Sequence, residues 1–171
     1  GGPVGTAMTF INDLVAWIAM VLVEKDARGQ GIGTALLKHA LHYLDGCHIK
    51  TVRLDATQLG RPLYEKMGFM PEYELVRFKG IAPSNKAEPT LMKAMPEMYA
   101  DLIEFDRELT GTNRAKMLNA LFRGFPENTR VLKNDDKIEG FIAMRPGRKA
   151  IQVGPCMAMN QAGPVLLSDA L

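Results

Sequence analysis

Val21-Leu22-Val23-Glu24-Lys25-Asp26-Ala27-Arg28-Gly29-Gln30-Gly31-Ile32-Gly33-Thr34-Ala35-Leu36-Leu37 decides how the chain is read. An apolar, β-branched run stops at a charged turn, three glycines alternate with Gln30 and Ile32, and a helical pattern begins at once. Glycines at 29, 31 and 33 let the backbone turn sharply and bring its N–H groups close to a ligand. The first N–H groups of the following helix have no partner inside the helix, and the helix dipole makes that end positive. Strand, glycine loop and helix start together predict a cradle for an anion of the pyrophosphate kind, with Arg28 as a fixed cation beside it.

Working outward, Val4 to Ile11 and Leu14 to Val23 read as two strands of a hairpin turning at Asn12-Asp13. From Thr34, the residues Ala35, Leu36, Leu37, Ala40, Leu41 and Leu44 fall on one helical face, and Gly46 is the expected left-handed cap. Thr51 to Ala56 alternates as a strand. Pro62 opens a short helix that Gly68 closes, and Met70 to Phe78 reads as one or two further strands. Gly80, Pro83, Ser84, Asn85 and Pro89 show no period, which places a linker at 81–90 between units at 1–80 and 91–171. In the second unit, helices are expected over Met95 to Glu108 and Asn113 to Phe122. Strands are expected over Arg130 to Lys133, Ile138 to Met144 and Ala150 to Val153, and a last helix from Gly163.

The two units share a faint repeat. Gly33-Thr34-Ala35-Leu36-Leu37-Lys38-His39-Ala40-Leu41 aligns with Gly163-Pro164-Val165-Leu166-Leu167-Ser168-Asp169-Ala170-Leu171, which sets Val23 on Val153. Gly5 and Gly140 start comparable strands. In that alignment Arg28 meets Ala158, Gly29 meets Met159 and Gly31 meets Gln161, so the second copy keeps the architecture and loses the cradle.

A chain of 171 residues, 47% hydrophobic, is long enough for one core or two small ones. A net charge of +2, shared evenly between the halves, gives no footprint for nucleic acid. No stretch approaches 18 uninterrupted apolar residues, so no membrane span is expected. Cys47 and Cys156 stand far apart and outside any CxxC spacing, which suits a reducing compartment and a cytoplasmic location. The chain starts in a strand pattern and stops in a helix pattern, and both ends read as those of a fragment.

A P-loop is excluded, because no Gly-Lys-Ser/Thr closes the loop. A dinucleotide fold is disfavoured although Asp55 lies at a suitable distance, because Thr34 stands where the third glycine of G-x-G-x-x-G belongs. His39, His42, His48 and Cys47 lack a sound ligand spacing, so no metal is expected. Trp17 reads either as core or as the wall of a substrate pocket. Met92, Met95, Met98 and Met117 read as adaptable packing, and Arg145, Arg148 and Lys149 as an exposed turn.

Val23 followed by Arg28-Gly29-Gln30-Gly31-Ile32-Gly33 resembles the acetyl-coenzyme A motif of GCN5-related N-acetyltransferases (GNAT). Leu63-Tyr64-Glu65-Lys66-Met67-Gly68-Phe69 is similar to that family's second signature, in the expected order and spacing. Leu54-Asp55-Ala56-Thr57 through Gly60-Arg61-Pro62-Leu63-Tyr64 further resembles a bacterial subgroup with a second, divergent GNAT-like domain. The resemblance implies an α/β fold: a mixed, mostly antiparallel sheet flanked by helices, the first unit without its opening strand and two helices. The second unit is then partial, cut at its long helix.

The implied cofactor is acetyl-CoA as acyl donor, and the implied partner is a small-molecule or protein amine that attacks the thioester directly in a ternary complex. Gly29, Gln30, Gly31, Ile32, Gly33 and Thr34 would hold the pyrophosphate with Arg28 at its edge. Leu22 and Val23 would pair with the pantetheine arm and polarise the thioester carbonyl. Tyr64 would protonate the departing thiolate, and the base is either Glu24 or water relayed to the missing opening segment. Thr57 would contact pantetheine, although many relatives carry Asn there. A non-catalytic acyl-CoA-binding regulatory module is the competing expectation, and the oligomeric state stays open.

Overall fold

β1 (Gly5–Asn12) and β2 (Val15–Val23) pair antiparallel from Gly5↔Val23 to Asn12↔Val15. Asp13 takes the left-handed conformation at the turn, with φ 54, which aspartate tolerates better than most side chains. A computed structural model describes residues 1–81, 90–159 and 161–171 of the chain. It divides into two units, Gly1–Phe78 and Lys79–Leu171; most of the linker expected at 81–90 lies outside the described residues.

In the first unit the chain leaves β2 through a single 3-10 turn, Lys25–Ala27, and enters α1 (Ile32–Gly46). It returns as β3 (Thr51–Leu54), which lies parallel to β2 from Val15↔Thr51 to Ile18↔Leu54. The strand period of two turns Ala16 and Ile18 toward α1, where they bury with Leu37, Ala40 and Leu44. Val21, Val52, Leu54, Leu63, Tyr64, Met67 and Phe69 pack around that core. The short α2 (Arg61–Lys66) has Pro62 in its first turn and is followed by Gly68 at φ 89, as the sequence predicts.

Two expectations fail here. Gly46 is the last residue of α1, and the left-handed residue is His48, with φ 58. Cys47 N–H closes on the Tyr43 and Leu44 carbonyls first, which delays the reversal by two residues. Met70 to Phe78 contains no strand. Met70, Tyr73, Leu75, Val76 and Phe78 are exposed, and the unit's sheet, ordered β1-β2-β3, supplies them no neighbouring strand. β propensity without a hydrogen-bonding partner does not make a strand.

The second unit is a four-stranded antiparallel sheet in the order β4-β5-β6-β7. Its strands are β4 (Met92–Lys93), β5 (Thr129–Asn134), β6 (Lys137–Pro146) and β7 (Ile151–Ala158). The two-residue β4 had no signal in the sequence, and β7 runs well past the expected end at Val153. α3 (Tyr99–Thr110) and α4 (Ala115–Gly124) cover one face through Leu102, Phe105, Leu118 and Phe122 on Val131 and Phe141. α5 (Ala162–Ala170) covers the other through Ala162, Leu166 and Ala170 on Ile142. Neighbours Phe141 and Ile142 thus serve opposite cores, as strand alternation requires.

Two buried carboxylates lock this unit. Asp106 is fully buried and forms a bidentate pair with Arg114, joining α3 to the start of α4. Asp169 on α5 accepts Thr90 N–H at 2.6 Å, Leu91 N–H at 3.0 Å and the Thr90 hydroxyl at 3.0 Å, with Arg130 Nε 3.9 Å away.

The repeat is real at the level of packing but its register differs from the alignment. A Cβ on Gly5 would meet Leu22 O and Leu36 Cδ1, both at 3.0 Å. A Cβ on Gly140 would meet Met157 O and Leu166 Cδ1, both at 2.7 Å. In each unit a strand glycine makes room for the same helix leucine, Leu36 or Leu166. Gly5 pairs with Val23 and Gly140 with Ala158, so Val23 corresponds to Ala158 and not to Val153. The connection from β7 to α5 is correspondingly shorter than that from β2 to α1, and the residues of the cradle have no counterpart in it.

Candidate active site

The site is organised by where β2 and β3 part. Their pairing stops at Ile18↔Leu54, while β2 continues to Val23 against β1 alone. Just past the last pair, the register of β1 and β2 slips between Thr6 and Met8, and Met20 takes φ 53. This β-bulge bends β2 and increases its twist. The Thr6 hydroxyl donates to Met20 O at 3.0 Å, and Glu24 N–H donates to Val4 O at 2.8 Å. Backbone groups of Met20, Leu22 and Glu24 therefore face β1, and alternation turns those of Val21 and Val23 to the vacated edge. Val21 is thus an edge residue that the sequence reading missed, because a bulge at a non-glycine residue leaves no compositional mark. Leu22 keeps its place on the strand, but its peptide groups face β1.

The glycine loop lies at the mouth of this gap. Gly29 and Gly31 have φ 79 and 77, and a Cβ on either would meet open space. Glycine is required there for the backbone path. Ala35 N–H is the first amide of α1 to find an intrahelical acceptor, Gly31 O at 3.0 Å. From Gly29 through Thr34 the N–H groups have no acceptor among the described residues. Gly33 is helical; a Cβ there would lie 3.5 Å from Leu63 and 3.8 Å from Val23, so the third glycine brings α1, α2 and β2 together. Arg28 is exposed and its Nε donates to Val23 O at 3.1 Å, which leaves its terminal nitrogens for an anion. The side-chain amide of Gln30 reaches back toward Asp26 O at 3.5 Å.

Tyr64 sits one residue beyond Leu63 on α2, with its ring edge-to-face on Phe69 at 6.2 Å. Burial pushes its phenol above the ordinary value, because the charged form loses solvation. Its hydroxyl has no protein partner among the described residues. Gly60 permits this placement: a Cβ there would come within 2.9 Å of Tyr64 Cε2. In the sequence Gly60 stands in the stretch that resembles the bacterial subgroup, but no role is read for it there. The Thr57 hydroxyl accepts Gly60 N–H at 3.2 Å, and Thr57 O accepts Arg61 N–H at 2.9 Å. Thr57 therefore closes the turn that leads into α2, whose N-cap is Gly60, with its hydroxyl proton still available. Glu24 is exposed at the end of β2, apart from the α2 cluster that holds Tyr64. His39 and His42 lie on the exposed side of α1.

Among the described residues, no helix is long and apolar enough to cross a membrane. A family model for the acetyltransferase (GNAT) family matches residues 1–69, and one for an acetyltransferase (GNAT) domain matches residues 102–171. Holothin acyltransferase of Pseudoalteromonas sp. (strain SANK 73390) is 29% identical over 152 residues, covering 88% of this chain and 51% of the relative. The solved structure of a presumed acetyltransferase from Pyrococcus horikoshii superposes with a TM-score of 0.71 at 26% identity, over 98% of this chain and 56% of that one. The chain spans about half the length of both relatives. With a GNAT model on each of its two units, a mixed α/β fold in both and the gap, loop and tyrosine in the first, the chain belongs to the GNAT acetyltransferase family as two GNAT-like domains in tandem.

Proposed function

We propose that the first unit transfers an acetyl group from acetyl-CoA to an amine of a small molecule or protein, by direct attack in a ternary complex. The observation that carries this reading is the gap between β2 and β3, which opens beside the unpartnered amides of the glycine loop, with α2, the helix of Tyr64, packed against that loop through Leu63 and Gly33. The amides of Gly29 to Thr34 and the Arg28 guanidinium bind the pyrophosphate. Val21 and Val23 offer strand-edge groups to the pantetheine arm, and Thr57 offers its hydroxyl proton. A backbone N–H fixed at that edge polarises the thioester carbonyl without reorganisation. The acceptor nitrogen then forms its bond to the carbonyl carbon and the carbon–sulfur bond breaks. Tyr64, protonated at neutral pH, gives its proton to the leaving sulfur. Before that attack Glu24 takes one proton from the ammonium to free the nitrogen lone pair; the second nitrogen proton returns to the Tyr64 phenolate as the amide forms, and no covalent enzyme intermediate forms. The two free thiols fit a cytoplasmic setting.

Calorimetry with acetyl-CoA tests the cradle. Gly31→Asp keeps a side chain that tolerates positive φ but sets a carboxylate among the amides. It should weaken binding at least about a hundredfold with an unchanged circular dichroism spectrum, and unchanged affinity would remove the coenzyme from this loop. Acetyl-CoA-dependent thiol release with an amine panel tests the transfer. Tight binding without turnover would instead favour a regulatory acyl-CoA-binding module.

A further inference from the structure

Leu59-Gly60-Arg61-Pro62-Leu63-Tyr64 sets residue 60 four places before Tyr64, so the two lie one above the other on a helix face. Side chains on a helix lean toward its N-terminus, which carries the Tyr64 ring back over residue 60. Gly60, the N-cap of α2, has φ -84 and ψ -27. That is right-handed backbone open to any L residue, so glycine is not required there for its conformation. It is required for room. A Cβ would stand 2.9 Å from Tyr64 Cε2 and 3.4 Å from both Cζ and the hydroxyl oxygen. All three atoms belong to the hydroxyl end of the ring.

Something must yield to an added methyl, and the hydrogen bonds decide what. Gly60 N–H donates to Thr57 O at 3.0 Å and to the Thr57 hydroxyl oxygen at 3.2 Å. Gly60 O accepts Leu63 N–H at 3.0 Å and Tyr64 N–H at 3.3 Å. Pro62, in the first turn, stiffens the same stretch. The backbone of residue 60 is thus anchored on both sides. The Tyr64 ring is held only by packing in the first core and by the edge contact with Phe69, so the ring moves before the backbone does. We propose that Gly60 is a positioning residue for the transfer reaction: by carrying no Cβ it lets the Tyr64 hydroxyl settle where it reaches the leaving sulfur. The inference rests on the acid role of Tyr64 proposed above. A single methyl at position 60 displaces the reactive end of the ring and leaves the amides of Gly29 to Thr34 in place, so it acts on the chemical step and not on coenzyme binding.

The test follows thiol release from acetyl-CoA with hydroxylamine, an acceptor that is neutral near neutral pH and small enough to need no acceptor pocket. Gly60→Ala should lower kcat about tenfold and leave the KM for acetyl-CoA within about twofold, with a melting temperature no lower than that of the wild type. In a Tyr64→Phe background the same methyl should change kcat by less than about twofold, since the proton donor it displaces is already gone. A second readout needs no coenzyme. In NMR of protein isotopically labelled at tyrosine Cζ, the Tyr64 resonance, identified by its loss in Tyr64→Phe, should shift in Gly60→Ala while those of Tyr43, Tyr73 and Tyr99 hold. A wild-type kcat in Gly60→Ala, equal slowing in both backgrounds, or an unmoved Tyr64 resonance would overturn the proposal. If the methyl lowers the melting temperature, adding Tyr64→Ala to Gly60→Ala should bring it to that of Tyr64→Ala alone; a deficit that persists puts the strain elsewhere and also overturns it. Tyr64→Phe separates the failures. A wild-type kcat in that variant defeats the acid role and this inference with it; a slowed Tyr64→Phe beside an unaffected Gly60→Ala defeats the inference alone.

Discussion

Tyr64 shows how one side chain depends on neighbours with no chemistry of their own. Gly60 gives its ring space, Phe69 meets its edge, and burial keeps its phenol protonated. Tyr64→Phe keeps the ring and removes the proton donor. A thiolate leaves readily without help, so kcat should fall tenfold to a few hundredfold, about 1.4–3.5 kcal/mol, with the KM for acetyl-CoA nearly unchanged. The raised pKa sets the pH signature. The phenol stays protonated through neutral pH and is lost only above its ordinary value of about 10. The wild-type rate should therefore hold until that region and then decline, while the Phe variant shows no such limb. A pH–rate profile of both proteins checks this, and equal kcat values would remove Tyr64 from the chemistry. Legibility at this scale followed backbone demand. Gly29, Gly31 and Gly68 announced their positive φ because glycine is the usual residue for it. Met20 and His48 take the same region with other side chains, Met20 at the slip in strand register and His48 where Ile49 N–H closes on Leu44 O past the end of α1, and residue type alone hides such positions.

At the scale of elements, periodicity carried most of the fold. The α1 stripe, the hairpin and the strands β5 and β6 could all be read from spacing, because each buries one face against its own unit. Met70–Phe78 had strand composition and misled for want of a partner, and the two-residue β4 exists only because β5 offers it an edge. The Asp169 clamp was also hidden, since it links residues far apart in sequence. Asp169 sits in the last turn of α5, where the helix dipole disfavours a carboxylate, so its local setting alone would not place it there. Burial by itself would raise its pKa, but the Leu91 and Thr90 amides, the Thr90 hydroxyl and Arg130 outweigh it and hold the carboxyl below its ordinary value. A lowered folded-state pKa gives stability that is fully present above the unfolded value, about 3.9, and lost as pH falls through the folded one. Asp169→Asn should cost about 1–3 kcal/mol at pH 7, and the gap to wild type should narrow as pH falls from the unfolded value through the lowered folded one. Urea midpoints across that range provide the measurement, and a pH-independent gap would assign the loss to packing.

At the scale of the whole molecule, the chain is one architectural idea used twice with one working cradle. Both units keep the strand glycine under a helix leucine, and both keep an irregularity in the paired strands: Thr6/Met8 in one, Ile142/Met144 in the other. The second unit shortens the strand-to-helix connection and so has no run of glycine amides to offer an anion. The sequence repeat showed that the cradle was lost but placed the equivalence wrongly, because an alignment without gaps cannot see a shortened loop. If only the first unit binds acetyl-CoA, ligand linkage should stabilise that unit alone. Trp17 reports the first unit, and Cys156, half-buried in β7 with its thiol raised by burial, reports the second. In a Cys47→Ser background, which removes the exposed thiol, acetyl-CoA at about a hundred times its Kd should stabilise the Trp17 urea transition by about 2.7 kcal/mol. The urea dependence of Cys156 labelling should not move. A coenzyme-dependent shift in Cys156 protection as large as that at Trp17 would mean that the units unfold as one, or that the second also binds. Gly31→Asp then decides between them: it should abolish the Cys156 shift if the units are coupled through a single cradle, and leave it if the second unit has a site of its own.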